Sequence, residues 1–226
     1  MASWNDSELT EQVKREGMKE EEEVLTGLFA QYGTARHYRK NELIFREDEE
    51  SRDIYWVRCG LVKISQSAKE GQGITLFLRF EGEMFGAAEV LTGQRRQRFA
   101  RCILDSEVLY VPADEFRSLM LSRPEIMYAV TVSNARRLLD TQRHTEMLIS
   151  KPVPWRLAHF LLRLGERQGN ELHVSLPLSH EEISFIVGCS RQTVTETLNR
   201  WNEQGIVHYG KKRIRIQEPD AFLTRV

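Results

Sequence analysis

Residues 179–201, SHEEISFIVGCSRQTVTETLNRW, leave the chain few conformational choices. Ser179 followed three positions later by Glu182 is a capping box, the pair that satisfies free N–H groups at a helix start. In the helix it opens, Ile183, Ile186 and Val187 are expected to face inward. Gly188 stands where that helix must end, because glycine takes the left-handed conformation of a helix terminus without a Cβ clash. Ser190 then caps a second helix, in which Val194, Leu198 and Trp201 recur at i, i+4 and i+7 as the buried side. The stretch therefore reads as helix, tight turn, helix.

The second helix is left with Arg191, Gln192, Thr195, Glu196, Asn199 and Arg200 pointing outward. These are hydrogen-bonding side chains rather than the Lys/Glu filler of a solvated face. Arginine and glutamine can pair bidentately with guanine and adenine, and the first residues of a recognition helix are those that reach base edges. Glu196 is the discordant member. An acid near phosphates is repelled unless it accepts from a cytosine N4 amine or holds Arg191 or Arg200 in place. Downstream, VHYGKKRIRIQ forms two alternating segments around Gly210, a hairpin whose Lys211, Lys212 and Arg213 are placed for phosphate.

Net charge over 226 residues is −1, which fits a nucleic-acid binder poorly until it is divided. Residues 1–150 carry 21 Lys and Arg against 25 Asp and Glu, whereas residues 151–226 carry 11 against 8. The C-terminal part is the one suited to an anion. No apolar run reaches the roughly 18 residues of a membrane span, and the charged N-terminus has no secretory h-region, so a cytoplasmic protein is expected. Cys59, Cys102 and Cys189 are widely spaced and odd in number, which suits free thiols rather than a disulfide framework, zinc or an iron–sulfur cluster.

The rest of the chain divides by texture. Residues 1–33 read as a charged helical cap with Val24, Leu25, Leu28 and Phe29 as its apolar stripe. Residues 34–120 change to short β-rich segments such as DIYWVRCGLVKISQ and GITLFLRF, broken by glycines, as in an antiparallel barrel or roll. Residues 121–150 form a long helix opened by Pro124, whose apolar positions do not make one clean stripe. KPVP at 151–154 is a hinge, and residues 155–226 form the second domain.

In this order the parts resemble the Crp/Fnr family of bacterial transcription regulators, over nearly the whole chain. IVGCSRQTVTETL is similar to that family's recognition segment, and FGAAEVLTGQRRQRFA, Phe85–Ala100, to its effector cassette. The resemblance implies an α+β protein: an N-terminal antiparallel β-roll of jelly-roll type, a long dimerisation helix and a C-terminal winged helix-turn-helix. It implies a homodimer on a palindromic operator, contact with RNA polymerase as in an activator, no catalytic activity and no membrane. The DNA-contacting set it implies is Ser179, Ser190, Arg191, Gln192, Thr193, Thr195, Glu196, Asn199, Arg200, Lys211 and Lys212.

For the effector, the resemblance implies Phe85, Gly86, Ala87, Ala88, Arg98 and Phe99 in the cassette and Arg137, Thr141 and Gln142 on the long helix. Members that bind cyclic nucleotides carry an acid for the ribose and an Arg-Ser pair for the phosphate. Here Gly86 and Arg98 match, but the acidic position is Ala87 and the serine position Phe99, which argues against cAMP. The FGxxxxLTGxxxxRF spacing is closer to that of the nitrogen-control regulators, which sense 2-oxoglutarate. Two arginines could neutralise such a dicarboxylate, or they could form structural ion pairs in a member that needs no effector.

Haem and cluster sensing find no support. The six histidines lack an i, i+4 pair, and no cysteine lies near the N-terminus. Glu47 occupies a position where the family usually turns on glycine, so that hairpin is expected to differ. Two readings from other classes compete. An enzyme would need an acid/base pair at the cassette, where only arginines and Glu89 stand, and a ligand-binding interaction module would not need the polar recognition face.

Overall fold

The computed structural model describes residues 20–67, 73–175, 177–210 and 213–226. By their contacts these residues form two compact units, residues 20–63 with 78–140, and residues 64–67 and 73–77 with those from 141 onward. The division falls inside the long helix rather than at 151–154, because one uninterrupted helix supplies residues to both units.

In chain order, helix α1 (20–32) is followed by strands β1 (Thr34–Tyr38), β2 (Leu43–Phe45), β3 (Asp53–Cys59), β4 (Val62–Ser67), β5 (Gly73–Arg79) and β6 (Met84–Phe85). Then come helix α2 (Ala87–Thr92), strands β7 (Phe99–Cys102) and β8 (Ser106–Pro112), helix α3 (Ala113–Ser122) and helix α4 (Pro124–Ser150). The strands lie in two four-stranded sheets, ordered β1-β8-β3-β6 and β2-β7-β4-β5. The pairs β1/β8, β3/β8, β3/β6 and β2/β7 are antiparallel, as an antiparallel roll requires. The expected β-roll thus also holds two helices, α2 and α3.

Strand β3 shows why its sequence does not alternate polar with apolar. Ile54 and Trp56 join Leu25, Leu28 and Phe29 of α1 and Phe116 of α3 in one core, with Phe29 stacked on Trp56 at 5.3 Å. Tyr55 points the other way, against Phe45 and Phe85. A strand buried on both faces reads as a continuous apolar run. The turn before β3 is made by Asp48 rather than its neighbour Glu47, with φ 66°. Aspartate tolerates the left-handed region better than most residues, and the Asp48 N–H and the Glu49 carbonyl are tied to the backbone of Arg96.

Helix α4 has two apolar faces, which is why its sequence gives no single stripe. Ile126, Ala129 and Val130 enter the core of the first unit. Tyr128, Leu138, Leu139 and Ile149 stay exposed.

After α4, the second unit contains α5 (Val153–Leu164), β9 (Gly165–Gln168), β10 (Glu171–Ser175), α6 (His180–Val187), α7 (Arg191–Glu203), β11 (Val207–Gly210), β12 (Arg213–Ile216) and α8 (Phe222–Arg225). The strands form an antiparallel sheet ordered β11-β12-β10-β9. Of the expected hinge 151–154, only Lys151 and Pro152 lie between helices. Val153 and Pro154 belong to the first turn of α5, where a missing N–H has no helical partner to lose. The core contains Leu157, Leu161, Ile183, Val194, Leu198 and Trp201, the last packed edge-on against Phe222 of α8 at 5.3 Å. Ile186, expected inside, is only half-buried, and Ser184 is buried with its hydroxyl donating to the Glu181 carbonyl.

Candidate nucleic-acid interface and effector cassette

The capping box forms: the Glu182 N–H donates to Ser179 Oγ at 3.2 Å, and the Ser179 N–H donates to the Glu182 carboxylate at 2.9 Å. Gly188 ends α6 at φ 72°, where a Cβ would meet Leu148 Cδ2 at 2.5 Å. Ser190 Oγ accepts from the Thr193 N–H at 3.0 Å and shares a second bond with the Thr193 hydroxyl. Ser179, Ser190 and Thr193 therefore hold the two helix starts.

On α7, Arg191, Gln192, Glu196, Asn199 and Arg200 are exposed and Thr195 is half-buried, so the polar residues share one outward face. Glu196 accepts from Gln192 Nε2 at 2.7 Å. Among the described residues no ion pair joins it to Arg191 or Arg200. The i, i+4 spacing places the glutamine amide one helical turn away. A carboxylate can only accept, so the Gln192 carbonyl must face away from it. Lys211 and Lys212 lie outside the described residues, while Arg213 opens β12 and is exposed.

Behind this face runs a chain of hydrogen bonds that sequence spacing does not reveal. Thr195 Oγ1 donates to the Arg191 carbonyl at 3.1 Å. The same hydroxyl pairs with His180 Nδ1 at 2.8 Å. Nε2 of the same ring pairs with the Tyr209 hydroxyl of β11 at 2.7 Å, and in the neutral ring one of the two nitrogens donates and the other accepts. Burial first, then the Arg191 cation, lower the His180 pKa and favour that neutral form. The C-terminal half of α7 is tied to the same strand, since Asn202 Oδ1 accepts from the Tyr209 N–H at 2.9 Å.

In the first unit, Gly86 opens the short α2 at φ 77°, and a Cβ there would lie 2.8 Å from Arg96 Nη1. Only glycine fits. Arg96 is a cassette residue that the sequence does not single out. It is 2% exposed, donates to the carbonyls of Gly86 (2.8 Å) and Asp53, pairs with Glu89 at 3.6 Å and lies over the Phe45 ring at 4.4 Å. In GQRRQRFA nothing in composition separates Arg95, Arg96 and Arg98. Register decides, with Arg95 exposed, Arg96 buried and Arg98 half-buried just before β7.

Phe85 and Ala87 are buried, Ala88 is exposed and Phe99 half-buried. Arg137 donates to the Met84 carbonyl, beside the cassette. Burial, then the neighbouring Arg137 cation, lower the Arg79 pKa to about 10, with Glu83 opposing; burial likewise lowers Arg137, and Glu83 again opposes. Arg79, Arg137 and Glu83 thus share a largely desolvated patch. Thr141 and Gln142, further along α4, are exposed.

Among the described residues no group of three or more metal-ligating side chains gathers. Cys102 is buried, which pushes its thiol up to about 11, away from the reactive thiolate. Among the described residues no helix is long and apolar enough to cross a membrane.

Two family models match the chain, a cyclic nucleotide-binding domain over residues 35–123 and a Crp-like helix-turn-helix domain over residues 156–225. A CRP-like cAMP-activated global transcriptional regulator of Mycobacterium tuberculosis is 30% identical over 192 residues, 83% of this chain and 86% of the relative. The chain belongs to the Crp/Fnr family.

As a Crp/Fnr protein it is a DNA-binding transcription regulator with a cyclic-nucleotide-binding-like domain, in a family of regulators rather than enzymes. Another Crp/Fnr relative, the global nitrogen regulator of Synechococcus elongatus, is 29% identical over 213 residues, 89% of this chain and 96% of that protein. The solved structure of FixK2 from Bradyrhizobium japonicum shares the fold, with a TM-score of 0.75 at 24% identity over 85% of this chain and 96% of that one. Against the Crp/Fnr pattern for cyclic nucleotides, the cassette keeps the left-handed glycine but has Ala87 buried at the acidic position. Its most buried arginine is already bonded to protein carbonyls.

Proposed function

We propose that this regulator works in the cytoplasm as a homodimer on a two-fold symmetric operator, with a small dicarboxylate such as 2-oxoglutarate, rather than cAMP, as its effector. The observation that carries the DNA reading is the single outward face of α7 that bears Arg191, Gln192, Thr195, Glu196, Asn199 and Arg200. Arg191 is the guanine reader, and Glu196, steadied by Gln192, accepts from an amino-bearing base. Lys211, Lys212 and Arg213 meet phosphate.

Dimer formation is supported by α4. Tyr128, Ala135, Gln142 and Ile149 recur every seven residues, as do Thr131, Leu138 and Thr145, and all are exposed. A seven-residue repeat keeps one seam of a helix facing a partner helix. The half-sites would then lie about one helical turn apart, and RNA polymerase would be contacted from the bound dimer.

The anion reading is supported by Arg79 and Arg137, two largely buried cations close enough that the Arg137 charge helps lower the Arg79 pKa. One observation favours the effector-independent alternative. The Arg96 guanidinium is held by Gly86, Asp53 and Glu89, so this arginine is not available to a ligand.

Binding-site selection from random duplexes with the full chain, at fixed salt and with competitor DNA, tests the DNA reading. A palindrome is expected, and Arg191→Ala should weaken binding to it about 10- to 100-fold, the worth of one bidentate base contact. Failure to enrich any sequence, with or without dicarboxylates, would overturn it.

A further inference from the structure

Thr195 lies one helical turn after Arg191, on the face of α7 proposed to enter the major groove. Its hydroxyl meets the Arg191 carbonyl and His180 Nδ1, and in either tautomer of the ring its proton is spent on one of these two protein groups. Such a hydroxyl has no proton for a phosphate oxygen, guanine O6 or N7, or thymine O4, since all of these accept. What remains for a partner is acceptor capacity, which suits only an adenine or cytosine amine, and the methyl group, which no hydrogen bond engages.

We infer that Thr195 reads DNA with its methyl, as an apolar contact to the C5-methyl of a thymine, and that His180 and Tyr209 set this choice by holding the hydroxyl back. Thymine is the only base that presents a methyl in the major groove. The His180 ring is itself steadied by Tyr209, which meets it both through the hydroxyl and ring to ring, with centroids 5.8 Å apart. A residue that reads by donating a hydrogen bond would need its hydroxyl proton free, and here the start of α6 meets that hydroxyl through His180, whose other ring nitrogen is held by strand β11.

The inference rests on the proposal that α7 reads an operator, and the experiment separates the two. With the selected operator in hand, each thymine of one half-site is replaced in turn by deoxyuridine, which lacks only the methyl. At one thymine the wild-type full chain should bind deoxyuridine about three- to five-fold more weakly, the factor expected for one buried methyl. Thr195→Val, which keeps the methyl, should show the same factor. Thr195→Ser, which keeps every hydrogen bond of the relay, should bind thymine and deoxyuridine equally, and this variant is decisive even if the valine variant is destabilised. At that same position 5-methylcytosine should bind the wild type better than cytosine.

If an operator is selected but no thymine responds to its methyl, or the response survives Thr195→Ser, the methyl contact is refuted and the DNA reading stands. If no operator is selected at all, both fall.

Discussion

Arg95 and Arg96 are neighbours of the same type, yet the fold gives them unrelated work. Arg95 is an exposed cation on Asp48, a pair of the kind that contributes no more than about 1 kcal/mol in water. The buried Arg96 guanidinium closes the space under Gly86, and its removal would take a donor from the Gly86 and Asp53 carbonyls and the paired cation from Glu89. Arg96→Ala is therefore expected to lower stability by about 3–5 kcal/mol, whereas Arg95→Ala changes it by at most about 1 kcal/mol. Urea unfolding of the two variants against wild type checks this, and equal midpoints would show Arg96 to be dispensable. Thr195 and Glu196 make the same point on α7. Both read from the sequence as free hydrogen-bonding side chains, and both are already engaged, by His180 and by Gln192.

The elements of the second unit are the most legible, because their boundaries are set by local chemistry. Ser179, Glu182, Gly188 and Ser190 mark three helix ends within twelve residues, and each adopts the capping conformation its type favours. Ser179→Ala should cost about 1 kcal/mol, within the range of about 0.5–2 kcal/mol for loss of such a cap. The loss should appear in the thermal unfolding of the chain, and an unchanged melting temperature would argue that Glu182 alone holds the start of α6. Elements without such end signals are harder to place. The β9–β10 hairpin and the short helix α2 have no distinctive period, and the start of α5 is hidden because Pro152 and Pro154 read as a break rather than as a cap and a first turn.

At the scale of the molecule, the regulator reading makes ligand binding in the first unit and DNA binding in the second two ends of one linkage. A dicarboxylate that binds only the folded chain should raise its thermal stability, by about 2.7 kcal/mol at a hundredfold excess over Kd. Arg137→Ala should abolish that rise, and an absence of any shift in the wild type with 2-oxoglutarate or related dicarboxylates would remove the anion reading. What the sequence by itself determined is the order of parts and the outward face of α7, since capping, periodicity and turn residues act over a few positions along the chain. Only the tertiary structure decided which arginine is buried under Gly86, which face of α4 is left exposed, and that Thr195 has its hydroxyl occupied. Those outcomes depend on strand register and on groups far apart in sequence, such as Tyr209 and His180, and no local pattern encodes where such groups meet.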